Sequence, residues 1–250
     1  MVVGQLADAY ADLDLGAFDL GFFEDGVQVR RSLAACWDVS FERAAPVRPF
    51  RRPKGGKSFA GWYFCATTGE HIGYESWLER DRLILLDADL QVTGVGSQPF
   101  WLHWHDGQRR RRHAPDYFVR LMDGRGRVVD VRAADRVDEA AAEAFASTER
   151  ACRAVDWEFV RAGVPDPVLM ANMRWLSRYR RRRCLRQDVA DRLVEAFSEP
   201  RPLRLGAAGA GDPLMVLPVL FHLLWSGVLV TDVASRLLGS DSMVHTARGR

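Results

Sequence analysis

The stretch from Asp116 to Ala133 constrains the fold more than any other part of the chain. Two runs of β-branched and aromatic residues, DYFVRLM at 116–122 and RVVDVRA at 127–133, flank the turn-forming string MDGRGR, which predicts an antiparallel hairpin. Strand alternation then fixes what each face presents. Asp130 and Arg132 are two apart and share a face, while Asp116 opens the facing strand. Two carboxylates and a guanidinium are thereby gathered on one side of a sheet.

Around this hairpin the pattern is mixed. FAGWYFCAT reads as a strand, YESWLERDRLILLDAD as a helix, VTGVG at 92–96 and PFWLHW at 99–104 as further strands, Ala134 to Asp156 as an alanine- and glutamate-rich helix, and WEFVRAG as a last strand. This order predicts an α/β domain, a mixed sheet with helices on its faces. After GVPDP the chain turns helical: VLMANMRWLSRYRRRR, then QDVADRLVEAF with Val189, Leu193, Val194 and Phe197 on one side. EPRPLRLGAAGAGDP reads as a linker, and LMVLPVLFHLLWSGVLVTDV as a buried helix, a turn at Ser226-Gly227 and a strand, a winged-helix-like order. The expected division is an N-terminal extension at 1–45, a sheet domain at 46–165 and a helical, winged-helix-like domain at 166–250.

The charge is nearly balanced, +2, but the positive residues are bunched. They fall at VRPFRRPKGGK, at QRRRRH and at RYRRRRCLR, and Lys54 and Lys57 are the only lysines. Arg109, Arg110, Arg111 and Arg112 stand just before Asp116 and read either as phosphate contacts or as a solvated loop tip. Arg174, Arg178, Arg181 and Arg182 fall at helical spacing and predict a basic stripe suited to a nucleic-acid backbone, against the plainer reading of a solvated face. His103 and His105 read as a polar strand face rather than as metal ligands. From Leu205 to Ser235 there is no lysine or arginine, so the helix near 214–225 is expected to meet protein rather than DNA. Cys36, Cys65, Cys152 and Cys184 lack zinc or disulfide spacing and are expected to be reduced and mostly buried. The N-terminus has no basic lead, and the longest apolar run falls short of a membrane span of about 20 residues, so no membrane association and a cytoplasmic location are expected.

Pro115-Asp116, thirteen residues, then Asp130-Val131-Arg132 matches the pattern PD-(D/E)xK with arginine in the lysine position. Hard carboxylate oxygens of this kind hold Mg²⁺, for which Mn²⁺ may be exchanged, and the ion neutralises a phosphodiester and acidifies water. Upstream, Glu75 and Glu79 are one helical turn apart and supply a third carboxylate, Glu79 being the first choice and Glu75 the second. The strings YESWLERD, SQPFWLHW, HAPDYFVRLMDG, VVDVRAADR and PDPVLMANMRWL, from Gly61 to about Tyr179, resemble in order and spacing the TnsA family of heteromeric transposase subunits. The resemblance implies a restriction-endonuclease-like fold and a metal-dependent DNA endonuclease with Glu79, Asp116 and Asp130 as metal ligands and catalytic residues. Arg132 stands where the family has lysine; arginine keeps its proton and cannot serve as a base. The implied reaction is hydrolysis at transposon 5′ ends, beside a partner transposase with an acidic triad and an AAA-type regulator. Two rival expectations remain: a catalytically inactive architectural subunit bridging DNA, transposase and regulator, and a winged-helix DNA-binding regulator.

Overall fold

The computed structural model describes residues 17–50 and 59–247. They form a mixed α/β protein of two compact units: the described residues up to Arg82 together with Gln91–Val164, and Leu83–Leu90 together with the described residues from Pro165 onward. No helix among the described residues is long and apolar enough to cross a membrane.

The first unit is built on two four-stranded sheets. In one, β1 (Asp19–Glu24) and β2 (Val27–Ser32) form a hairpin whose turn residues Asp25 and Gly26 have φ of 50° and 80°. Consecutive positive φ values make the tight hairpin turn that Asp-Gly favours. A small antiparallel pair, β3 (Gly61–Phe64) and β4 (His71–Tyr74), follows. The chain then runs through the helix α1 (Trp77–Ala88) into β5 (Val92–Ser97), β6 (Trp101–His105), β7 (Arg110–His113), β8 (Tyr117–Leu121) and β9 (Gly126–Val131). A second helix, α2 (Glu139–Ala154), carries the chain to β10 (Glu158–Ala162). The first sheet has the order β2-β1-β6-β7 and the second β10-β9-β8-β5, in which only β9 and β10 are parallel. The α2 crossover is what a parallel neighbour requires. The 116–133 hairpin is present as β8 and β9, closed by Gly124 at φ 88°.

Phe41 is the centre of the core. It is fully buried, and its ring lies 4.9 Å from Phe100, 5.1 Å from Phe22, 5.6 Å from Phe118 and 5.8 Å from Trp157, all edge-on. These partners come from both sheets, from the loop before β6 and from the segment before β10. The segment carrying Phe41 presses on β5 so closely that a side chain at Gly96 would stand 2.6 Å from the Phe41 carbonyl oxygen. Glycine in this strand is thus a matter of clearance. Arg120 of β8 fastens the same segment by donating to the Val39 carbonyl and to Glu42 at 3.0 and 3.2 Å. Residues 17–45, read from sequence as an extension, supply β1, β2 and this aromatic anchor.

QRRRRH is not a loop tip. Its last four residues form β7, paired with β6, because alternate side chains find separate environments: Arg111 turns inward to Asp106 at 2.5 Å and His113 inward to Asp130, while Arg110 and Arg112 are exposed. In the second unit, α3 (Pro167–Leu176) begins with the Asp166 cap and ends before the expected basic stripe is complete. Ser177 Oγ donates back to the Arg174 carbonyl, and the chain continues in separate short 3-10 turns. Arg174 alone of the four arginines lies on the helix, so the single stripe does not form. The stretch read as a linker also folds, giving the short β11 (Arg201–Pro202) and the helix α5 (Leu203–Ala210) after α4 (Gln187–Ala196). Leu203, Ala207 and Ala210 are buried there, and Phe197 occupies the space that a side chain at Gly206 would need. Next come α6 (Pro213–Trp225), β12 (Leu229–Thr231) and β13 (Met243–Thr246), in a sheet of order β11-β13-β12. All four cysteines are free, Cys184 being the one that is not buried, and burial raises the Cys36 thiol to about 11.

Removing the Phe41 ring is expected to cost about 3–5 kcal/mol. Phe41→Ala should therefore lower the denaturant midpoint strongly, and a chain starting at residue 46 should fail to give a cooperative melt; a truncated chain that melts like the full one would refute the anchor role.

Candidate active site

The carboxylates of interest arrive from three elements of the first unit. Ser76 precedes α1 and acts as its cap: the Glu79 amide donates to Ser76 Oγ at 3.2 Å, and that hydroxyl donates to Glu79 Oε1 at 2.8 Å. Glu79 Oε2 accepts from the Glu75 amide at 2.7 Å. Both oxygens of Glu79 are thus engaged in a variant of the Ser-x-x-Glu capping box. Glu75 forms a two-pronged pair with Arg48, at 2.8 and 2.9 Å. Asp116 stands one residue before β8, and its Oδ2 accepts from the Val131 amide at 2.7 Å. Asp130 is 2% exposed on β9, with Nε2 of His113 at 2.9 and 3.0 Å from its two oxygens.

These groups line one cleft of about 340 Å³. Glu75, Glu79, Asp116, Asp130 and Arg132 all border it, together with Arg48, Trp101, Arg112 and His113. Of the arginine run, Arg112 reaches the cleft; Arg111 turns toward Asp106 and Glu143, and Arg109 lies 4.0 Å from Asp106. Arg178 rests on the Trp175 ring in the second unit, where Arg174, Arg181 and Arg182 also belong. Glu79 Oε1 and Oε2, Asp116 Oδ2 and both oxygens of Asp130 have partners within the protein.

The sequence matches no family model, and no curated protein matches it.

Electrostatics single out Asp116. Burial, then the charges of Asp130 and Glu79, push its carboxyl well above the ordinary range, against the pull of the Val131 amide and Arg48. Burial likewise raises Glu79, opposed by its two hydrogen bonds. Among the described residues, no group of three or more His, Cys, Asp or Glu side chains stands in a metal-holding arrangement. The donor chemistry still suits a hard divalent cation, because the ligands are oxygens and Asp116 carries a repulsion that a cation would relieve. Arg48, Trp101 and His113 were not singled out from sequence. His113 becomes visible once β7 is recognised as a strand, since alternation turns it and Arg111 inward.

The raised Asp116 carboxyl has a definite sign. At acid pH, below the ordinary carboxylate range, both folded and unfolded chains hold the proton. As pH rises, the unfolded chain ionises first, and the folded state loses stability until Asp116 itself ionises. With metal chelated, Asp116→Asn is therefore expected to melt higher than the unsubstituted protein at pH 7, by about 2–4 °C for each kcal/mol of relieved repulsion, and nearly together with it at about pH 3, below the ordinary carboxylate range. Equal midpoints at both pH values would show that Asp116 carries no such strain.

Proposed function

We propose that this chain is a metal-dependent DNA endonuclease of the PD-(D/E)xK type, acting as the TnsA-like subunit of a heteromeric transposase at transposon 5′ ends. The observation that carries the reading is the convergence of Glu79, Asp116, Asp130 and Arg132 on one cleft, from a helix and the two strands of a hairpin. The order of elements supports a restriction-endonuclease-like core: α1, the antiparallel strands β5, β8 and β9, the crossover α2 and the parallel β10. In the second unit, α4, β11, α5, α6 and a β12-β13 hairpin with β13 in the middle of the sheet follow a winged-helix order.

Asp116 and Asp130, with Glu79 as the third, would hold Mg²⁺ or Mn²⁺, which when bound neutralises phosphate charge and acidifies water. The protein's own residues then have separate roles. His113 orients the Asp130 carboxylate. Arg132 keeps its charge at any working pH, so its role is to position and stabilise phosphate oxygens, not to remove a proton. Arg112, at the cleft rim, is placed to contact the nucleic acid. Leu214 and Met215, 84% and 47% exposed on an α6 that lacks arginine and lysine, favour a protein partner for the second unit. The resemblance suggests the transposase or its AAA-type regulator.

A specific observation favours a second reading, the inactive architectural subunit: Glu79 is committed to its helix cap and Asp130 to His113. Calorimetric titration with Mn²⁺, with and without DNA, separates the two. Binding by the unsubstituted protein that Asp116→Ala abolishes, with the fold kept, supports the nuclease; absence of binding in both conditions supports the architectural subunit. In a cleavage assay containing the partner transposase, Asp116→Ala should remove cutting by at least about a hundredfold. Arg132→Lys should retain or raise it, and a large loss would show a need specific to the guanidinium.

A further inference from the structure

The outer side of the sheet β2-β1-β6-β7 gathers cations around planar rings, of which Trp101 is partly buried against the core and partly open. Its cross-strand rows follow from the register: Arg30, Gly21 and Trp101 form one, Ser32, Asp19, His103 and Arg112 the next, and His105 faces Arg110. The alternate residues Leu102 and Trp104 are buried beneath. Asp19 is the one carboxylate in these rows, and it pairs with Arg30 at 2.7 Å. Among the described residues, Arg110 and Arg112 have no carboxylate partner. The guanidinium carbon of Arg112 lies 4.3 Å from the centre of the Trp101 ring, a stacked pair with an exposed cationic plane on top. His103 lies across Gly21, where an added side chain would stand 3.1 Å from its Nε2. Burial and the nearby charges of Arg30 and Arg112 hold its imidazole below the ordinary range, against the opposing charge of Asp19. Trp101 and Arg112 also line the carboxylate cleft.

We infer that this sheet face is a binding platform for single-stranded nucleic acid, on which unpaired bases stack against Arg112, Trp101 and His103 while Arg30 and Arg110 follow the phosphates toward the cleft. The inference rests on the nuclease reading for its direction, since the strand would be delivered to Asp116 and Asp130. Planar side chains on an open sheet face stack on bases irrespective of sequence, whereas a duplex shields its bases and offers mainly phosphates. A purely phosphate-binding patch needs no aromatic or imidazole rings between its cations.

The test is fluorescence anisotropy of the full chain with a labelled thymidine oligomer of about 15 nucleotides, the matching uridine oligomer and a duplex of the same length, in chelator. The expected result is single-strand binding at least about tenfold tighter than duplex binding, weakened about tenfold by Arg112→Ala and by Trp101→Ala. Arg112→Lys keeps the charge without the plane and should still lose severalfold, and Arg30→Ala should weaken binding at a position outside the cleft. Equal affinity for the two oligomers supports stacking blind to the sugar, and preference for one supports stacking with sugar recognition. Duplex binding as tight as single-strand binding, or folded Arg112→Ala and Arg30→Ala proteins that bind normally, would overturn the platform. Chelation makes the readout independent of cleavage, so an inactive cleft leaves this result standing, and a failed platform leaves the metal titration untouched.

Discussion

Everything in the first unit is referred to one buried ring. Phe41 touches aromatic side chains from β1, from the loop before β6, from β8 and from the segment before β10, so the two sheets share a single packing centre. A ring in edge-on contact with four others cannot shift without moving all of them. The hairpin that carries Asp116 and Asp130 and the sheet that carries His113 and Trp101 therefore hold their relative placement through the core. The cleft is formed where those two sheets meet.

Within that frame the cleft stores repulsion. Asp116 is buried near two other carboxylates, and the nearby Arg48 is bound to Glu75. Such an arrangement costs folding stability and is the usual signature of a site built for something other than stability. The carboxylates are also held: the Val131 amide fixes one oxygen of Asp116, and His113 holds Asp130. Held carboxylates have a defined geometry, and any further partner of Asp130 would have to share its oxygens with His113.

The sequence made the central hairpin of the first unit legible, since 117–121 and 126–131 are rich in β-branched and aromatic residues with clear turn residues between them. The α2 helix was legible from its alanine and glutamate content, and α3 from its helical pattern, though it ends at Leu176, before the arginine run. What escaped was short, polar or distant in sequence. Arg110–His113 carries no apolar residue, so its strand is dictated by pairing to β6 and by partners for alternate side chains. Arg201–Ala210 has linker-like Pro and Gly, but Gly206 is there because Phe197 fills the space above it. Two local signals were present in the sequence: Asp25-Gly26 for the β1-β2 turn, and Ser76-x-x-Glu79 for the cap that engages both oxygens of Glu79. The contact of His113 with Asp130, 17 residues away, had no local signal.

Among the described residues the positive charge around the cleft is guanidinium: Arg48, Arg112 and Arg132 border it, and the only two lysines in the chain, Lys54 and Lys57, lie outside the described residues. Amine chemistry thus has nothing to act on among the described residues lining this cleft. Acetylation, which silences lysine-lined surfaces by removing their charge, leaves this field intact, and amine-directed labels or cross-linkers are confined to Lys54, Lys57 and the α-amino group. A reporter or tether can accordingly be attached to the protein through its amines while the Arg48, Arg112 and Arg132 guanidinium groups keep their charge.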